Sequence, residues 1–345
     1  MVVTDFEQVT PEWLTGVLRR DGVVAQGAVA SVEMKTQKTN TAEVAHLRLT
    51  WAEGTPSHAP RALFLKLAEA RREVDFYREV VPAMQSTPLI LDCYDAEYDE
   101  QTGAAHLLLE DVTATHMPSD MTLPPSTPRY ELLTNALAQF HATWWDHPRL
   151  SGDLGALAGD VHEMTIRRAR EGLPGFMDFM GDRMSDERRA VFERVFALWP
   201  PRPFRERMAN GKGLTIIHGD AHAWNFLYPR DPETHRVRIL DWALWQVGRA
   251  TNDLAYLIAM HDFPDYRARM ERPLVRHYYD RLVGLGVEGY SWDDCWLDYR
   301  LSAIHNLFFP VYHWVVKGDP ALWWPNLERA MLAYHDLRCE DLLDE

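Results

Sequence analysis

Between Leu214 and Met260 the chain reads LTIIHGDAHAWNFLYPRDPETHRVRILDWALWQVGRATNDLAYLIAM, and here two short apolar runs each stop at a polar residue. Leu214, Ile216 and Ile217 predict a strand that delivers His218, Asp220, His222 and Asn225 into a loop. Val237, Ile239 and Leu240 predict a second strand that delivers Asp241 in the same way. Two hairpin-like strands ending on carboxylates can hold Asp220, Asn225 and Asp241 around one point. This requirement constrains the fold more than anything else in the chain.

Such a cluster suits phosphoryl transfer. That reaction needs a carboxylate to orient and deprotonate the attacking hydroxyl, and oxygen ligands to hold Mg2+ on the nucleotide phosphates, because the ion is hard and prefers oxygen. The spacing D-x-x-x-x-N from Asp220 to Asn225 is that of the protein-kinase catalytic loop, and Asp241-Trp242-Ala243 occupies the place of the later metal-binding aspartate. With His218-Gly219-Asp220 in place of HRD, Leu240-Asp241-Trp242 in place of DFG, and Gly248 followed by Asp253-Leu254-Ala255, the chain resembles the aminoglycoside phosphotransferase and choline-kinase-like (CHK) family, including the ecdysteroid-kinase-like proteins. The resemblance implies that Asp220 is the base and that Asn225 and Asp241 are the metal ligands. It also makes His218 and Asp253 structural supports of the loop. Alternatively, His218, Asp220 and His222 are ligands of a metal-dependent hydrolase. That reading leaves Asn225 and Asp241 unexplained.

Upstream, Thr10-Pro11 predicts a capped helix to Arg20, and alternation predicts strands over Val29–Met34 and Glu43–Trp51. Between them lies Lys35–Thr41, where a kinase covers the phosphates. No glycine occurs from Ala28 to Glu53, so Lys38, Thr39, Asn40 and Thr41 are left as hydrogen-bond donors in that loop. Ala62–Leu67 predicts a strand with one lysine, Lys66, in an apolar run, which is costly unless the ammonium is paired. Glu73 and Glu79 follow in a helical pattern, and the family's E-x-x-F-Y arrangement selects Glu73, so that Lys66 contacts phosphate. Pro88–Tyr98 and Ala105–Leu109 predict two more strands around an Asp99–Gly103 turn. Glu110 to Val112 resembles the hinge between kinase lobes, where backbone groups hold adenine.

A proline-rich linker, Met117–Pro128, is followed by helical patterns: Tyr130–Trp145, Asp160–Trp199 with breaks at Gly172–Gly175 and Gly181, Asp265–Val283, Trp292–Val316 and Ala321–Leu337. His141 predicts a satisfied core histidine, and Trp242 and Trp245 predict packing groups. Trp292, Trp296, Trp314, Trp323 and Trp324 predict mostly core, with the option of a cage for a quaternary ammonium or a wall for a flat apolar alcohol.

The whole is an α+β, two-lobe protein-kinase-like fold, with a nucleotide-binding lobe over 1–111, mainly sheet with one main helix, and a larger helical lobe over 112–345 carrying catalysis and acceptor binding. The expected activity is ATP- or GTP-dependent, Mg2+-dependent transfer to a small-molecule alcohol: an antibiotic, an amino alcohol such as choline, or a steroid-like alcohol. The competing class is a catalytically silent pseudokinase, motivated by the glycine-free loop. A net charge of −15 argues against nucleic acid as a partner. The three scattered cysteines, Cys93, Cys295 and Cys339, and the want of a leader or a membrane-length apolar run fit a cytoplasmic protein. Oligomeric state is not encoded in any of these patterns.

Overall fold

A computed structural model describes residues 2–39, 42–84, 88–120 and 123–343. Asn40 and Thr41 of the glycine-free loop, and Met121 and Thr122 of the linker, lie outside the described residues. The chain divides into two compact units, Met1–Pro118 with Phe226–Ala243, and Ser119–Asn225 with Leu244–Glu345. Residues 226–243 thus group with the first unit, whereas the sequence reading gave everything after 111 to the second.

The first unit is built on a five-stranded antiparallel sheet of order β1-β2-β3-β5-β4, with β1 Val29–Lys38, β2 Ala42–Trp51, β3 Ala62–Ala68, β4 Cys93–Tyr98 and β5 Ala105–Glu110. Burial alternates along β3: Leu63, Leu65 and Leu67 face a core shared with Leu47, Leu108 and the apolar side of helix α1, Pro11–Arg20. Full burial of each leucine is worth roughly 1.5–3 kcal/mol. Period-two patterning therefore sends Lys66 to the opposite face of the sheet. Thr10 caps α1 by accepting from the Trp13 N–H at 3.2 Å, as its sequence predicts. Helix α2, Arg71–Asp75, continues as a π-helical turn, Phe76–Val80, and packs against β4 and β5. A three-stranded sheet of order β6-β8-β9 completes the unit, with β6 His116–Pro118, β8 Phe226–Pro229 and β9 Arg238–Ile239.

Several elements differ from expectation. β1 runs on to Lys38, absorbing most of the expected loop. Of the strand expected over Pro88–Tyr98, only Cys93–Tyr98 forms; Leu89, Ile90 and Leu91 are buried as an irregular segment, Ile90 making a lone parallel bridge to Ile239. Arg238 Nη1 satisfies that segment by donating to the carbonyls of Pro88 at 3.1 Å and Ile90 at 2.8 Å.

The second unit is mostly helical: α3 Thr127–Trp144, α4 Asp153–Ala158, α5 Val161–Met180, α6 Asp186–Leu198, α7 Arg202–Ala209, α8 Thr251–Ala255, α9 Pro264–Gly284, α10 Trp292–His305, α11 Phe308–Val315 and α12 Pro320–Asp336. A two-stranded sheet pairs β7, Thr215–Ile217, with β10, Gln246–Gly248. The helix α5 runs unbroken through Gly172 and Pro174, where a break was expected. A Cβ on Gly172 would lie 2.2 Å from Val315 Cγ2 and one on Gly175 3.2 Å from Trp314, so these glycines serve the close approach of α11 and do not end a helix. Gly181, with φ of 52°, does end it. The expected helix over Trp292–Val316 is two helices, α10 and α11. Among the described residues no helix is long and apolar enough to cross a membrane.

Candidate active site

In the first unit, Lys66 lies on a central strand and not at a sheet edge. Its Nζ is 2.6 Å from Glu73 Oε2 and 3.0 Å from Asp241 Oδ1. Glu79, the other candidate, is exposed. Burial works against the Lys66 ammonium, but the carboxylates of Glu73 and Asp241 outweigh it and hold the lysine protonated. Burial also raises the Glu73 carboxyl, a tendency that Lys66 opposes; at 2.6 Å we take the pair as ammonium and carboxylate.

Asp241 follows β9 with φ of 59°, in the left-handed region that aspartate tolerates better than most residues. Its position is fixed by its neighbour. Trp242 is fully buried, donates from Nε1 to the Ile239 carbonyl at 3.3 Å, and stacks on Phe76 with ring centroids 4.0 Å apart and 6° between planes. Glu73 also takes the Trp242 backbone N–H, so one carboxylate ties α2 to both Lys66 and the segment holding Asp241. Asp241 itself remains 40% exposed and open to a ligand.

The hairpin between β1 and β2 is closed by Thr39, whose N–H and hydroxyl both donate to the Ala42 carbonyl at 2.9 Å. Lys38 is engaged by Glu43 at 3.2 Å. In the predicted hinge, the Glu110 side chain is occupied by Arg238 at 3.1 Å and the Asp92 N–H at 3.1 Å. The Glu110 N–H donates to Asp92 O, and Val112 O accepts from Thr115 and His116. Among the described residues no partner is recorded for the Val112 N–H.

In the second unit, β7 ends at His218-Gly219-Asp220, and Asp253 at the start of α8 grips the loop. Its carboxylate accepts from the N–H of His218 at 2.7 Å and of Gly219 at 2.9 Å, and lies 3.1 Å from His141 Nε2. His141 is fully buried, and its Nδ1 meets the Tyr278 hydroxyl at 2.8 Å. It is the satisfied core histidine expected, with the added task of bracing the residue that braces the loop. His218 Nδ1 in turn accepts from the Asp220 N–H at 3.2 Å. Gly219 has φ of 82°, and a Cβ there would lie 2.2 Å from the Leu244 carbonyl oxygen. We expect Gly219→Ala to cost about 3 kcal/mol from backbone strain plus overlap, read as a lower urea midpoint at unchanged slope.

Asn225 donates from Nδ2 to the Asp220 carbonyl at 2.9 Å. Burial opposes ionisation of Asp220, but His222, with Nε2 3.5 Å from Oδ2, together with His218 and the Tyr256 hydroxyl, holds it well below the usual carboxylate range. Burial and Asp220 push the Tyr256 phenol up, so it stays a donor. Tyr256 opens a π-helical turn, Tyr256–Met260, after α8. Among the described residues no three His, Cys, Asp or Glu side chains converge as a metal site, which removes the geometric basis of the hydrolase alternative.

Sequence reasoning did not single out Tyr256, Trp224 or His261, although the rings of His222 and Trp224 lie 4.9 Å apart and those of His222 and His261 5.7 Å apart. Tyr256 and Trp224 stand inside the quoted stretch, but neither sits at a motif position that carries a role. The tryptophan cage is not formed beside Asp220. Trp323 is core, Trp314 packs on Phe176 and Phe179, and Trp292 and Trp296 lie under the guanidinium groups of Arg272 and Arg276.

The ecdysteroid kinase-like family model matches residues 162–286. No curated protein matches the chain. Among crystal structures, the chain is similar to a candidate aminoglycoside phosphotransferase from Ralstonia eutropha JMP134, with 16% identity, 96% of this chain and 98% of that one covered, and a TM-score of 0.59. It is also similar to choline kinase LicA from Streptococcus pneumoniae, with 16% identity, 95% and 98% covered and a TM-score of 0.51. A third is an aminoglycoside phosphotransferase in ternary complex with ADP and hygromycin B, with 14% identity, 97% of each chain covered and a TM-score of 0.53. These likenesses show the fold. The chain is therefore a protein of the kinase-like fold, with a small antiparallel sheet unit and a larger helical one, whose residues 162–286 carry the sequence pattern of the ecdysteroid kinase-like family.

Proposed function

We propose that the protein transfers the γ-phosphoryl group of ATP or GTP, bound with Mg2+, to a hydroxyl of a small molecule. The observation that carries this reading is the pre-set loop: Asn225 Nδ2 holds the Asp220 carbonyl at 2.9 Å while Asp253 clamps the two preceding N–H groups. A loop held this way spends no binding energy on ordering its carboxylate. Asp220 orients the acceptor hydroxyl and takes its proton as the oxygen attacks phosphorus. The bond from phosphorus to the bridging oxygen breaks, and its electron pair leaves with the nucleoside diphosphate.

Asn225 Oδ1 and the half-exposed Asp241 carboxylate are each hard oxygen donors of the kind Mg2+ prefers, and these are the residues that would hold it. When bound, the ion neutralises phosphate charge. Lys66 contacts the phosphates while Glu73 keeps it in place, and the backbone of Glu110 to Val112 receives the base, with the Val112 N–H as donor. The fold-mates support this reading because one of them, an aminoglycoside phosphotransferase, holds ADP and hygromycin B.

Mg-nucleotide consumption against a panel of aminoglycosides, macrolides, choline-type amino alcohols and sterols tests the proposal. In Asp241→Ala we expect turnover to disappear and Mg-nucleotide affinity to fall at least about tenfold. Unchanged nucleotide affinity would remove Asp241 from the metal-binding role. The pseudokinase reading is favoured by the glycine-free hairpin closed on Thr39. Nucleotide binding without turnover on any acceptor would select it.

A further inference from the structure

A cavity of about 50 Å3 opens in the second unit, lined by His222, Trp224, Tyr130, Pro125, His261 and Arg329. It lies one side chain from the proposed base, since His222 Nε2 is 3.5 Å from Asp220 Oδ2. Its rim carries Leu123 and Phe263, which are 66% and 52% exposed. These two side chains offer apolar surface beside the cavity mouth.

The charge of the lining is the informative part. No Asp or Glu is among the residues that line the cavity; its positive groups are Arg329 and His222, and His222 is engaged with Asp220. Arg329 is partly buried, which lowers its pKa, and its recorded contacts are weak for five donors: one bond to Asn326 Oδ1 at 3.4 Å and the face of Phe263 with its ring centroid 4.8 Å away. Among the described residues Arg329 has no ion pair within 4.0 Å. The nearest influence of opposite sign is Asp262. Its Oδ1 takes the Tyr130 hydroxyl at 2.6 Å, its buried Oδ2 has no partner, and burial pushes its carboxyl up to about 7. Asp262 therefore leaves Arg329 incompletely neutralised. His261 is pushed down to about 3 by burial and stays neutral.

A guanidinium with few acceptors on the wall of a cavity suits a planar oxyanion, which it can hold by two parallel bonds. Water needs roughly 10–15 Å3 of such volume, so the cavity takes a few water-sized groups, enough for a carboxylate and too little for a ring system. We propose that this cavity is the anchoring subsite of the acceptor and takes its carboxylate. The acceptor class is then a hydroxy acid with an apolar body, the body lying over Leu123 and Phe263 and the hydroxyl reaching Asp220. This rests on the phosphotransferase reading for the hydroxyl, but not for the anchor. It turns the choice away from polycationic antibiotics and choline, for which the lining offers no carboxylate.

Calorimetric titration of the full chain without nucleotide tests the anchor directly. The probes are mandelate and ricinoleate, the latter below its micellar concentration, each against its methyl ester, with choline as the cationic control. We expect at least one acid to bind at least tenfold more tightly than its ester, Arg329→Gln to erase that preference, and Arg329→Lys to restore part of it at an unchanged melting temperature. Equal binding of acids and esters, no binding of either acid, tighter binding of choline, or an Arg329→Gln protein that keeps the preference would each overturn the proposal. Adding Mg-nucleotide separates the two readings. Acid binding without transfer leaves the anchor standing and sinks the kinase, whereas transfer to choline with no acid binding does the reverse.

Discussion

If Asp220 is the base proposed here, Asp220→Asn is expected to lower kcat by about 10²–10⁴ while nucleotide affinity stays close to that of the unaltered protein. The amide keeps the shape of the carboxylate and can still meet Tyr256 and His222, but it cannot accept the hydroxyl proton. The pH dependence separates this loss from a folding defect. Because the folded-state pKa of Asp220 is depressed, its charge contributes stability that is present above the unfolded carboxylate value and lost as pH falls through the folded one. The variant should thus melt below the parent protein at neutral pH and converge with it in acid. For the same reason Asp220 gives no acid limb to kcat between about pH 5 and 8. A variant that turns over normally, or a parent kcat that falls through that window by one proton on Asp220, would show that another group is the base.

Asp253→Ala has the largest expected cost in stability, about 3–5 kcal/mol, because it strips three partners of a buried carboxylate at once. The N–H groups of His218 and Gly219 would lose their acceptor, and His141 would keep only the Tyr278 hydroxyl on its ring. Burial opposes the charge on Asp253, and His141 with the His218 N–H holds its pKa down, so the same carboxylate that fixes the loop depends on the loop to stay ionised. Urea denaturation measures the loss. A double-mutant cycle with His141→Ala should be strongly non-additive. Additive costs would mean that Asp253 and His141 act separately, and the bracing described here would fail.

The parts of this molecule legible in its sequence are those whose signal is local. A single lysine in the apolar run of β3 marked Lys66 as needing a partner, the helical pattern that follows offered Glu73 or Glu79, and the family's E-x-x-F-Y arrangement selected Glu73. The fixed offset from Asp220 to Asn225 likewise marked the two as parts of one loop, and the structure adds the amide-to-carbonyl bond between them. What escaped depends on distant chain. Gly172 and Pro174 look like breakers until Val315 and Trp314 are seen against α5, and Leu89 to Leu91 look like a strand until Arg238 supplies the bonds a ladder would have made. Arg329 stands more than a hundred residues from His222 and carries no motif, so nothing in the string ties it to the same cavity. The tryptophans misled for a related reason. Whether an indole face is open or covered by an arginine from another helix cannot be spelled locally.

The assignment of residues 226–243 to the first unit bears on how such a protein can be divided. A fragment ending at Pro118 would keep the five-stranded sheet but lose β8, the strand on which β6 closes, together with β9 and the carboxylate that Lys66 shares with Glu73. Lys66 would then lack one of the two charges that hold its proton. Fission of the gene at the linker therefore cannot yield two self-sufficient proteins. A division of the chain that keeps the first unit whole has to carry residues 226–243 with it.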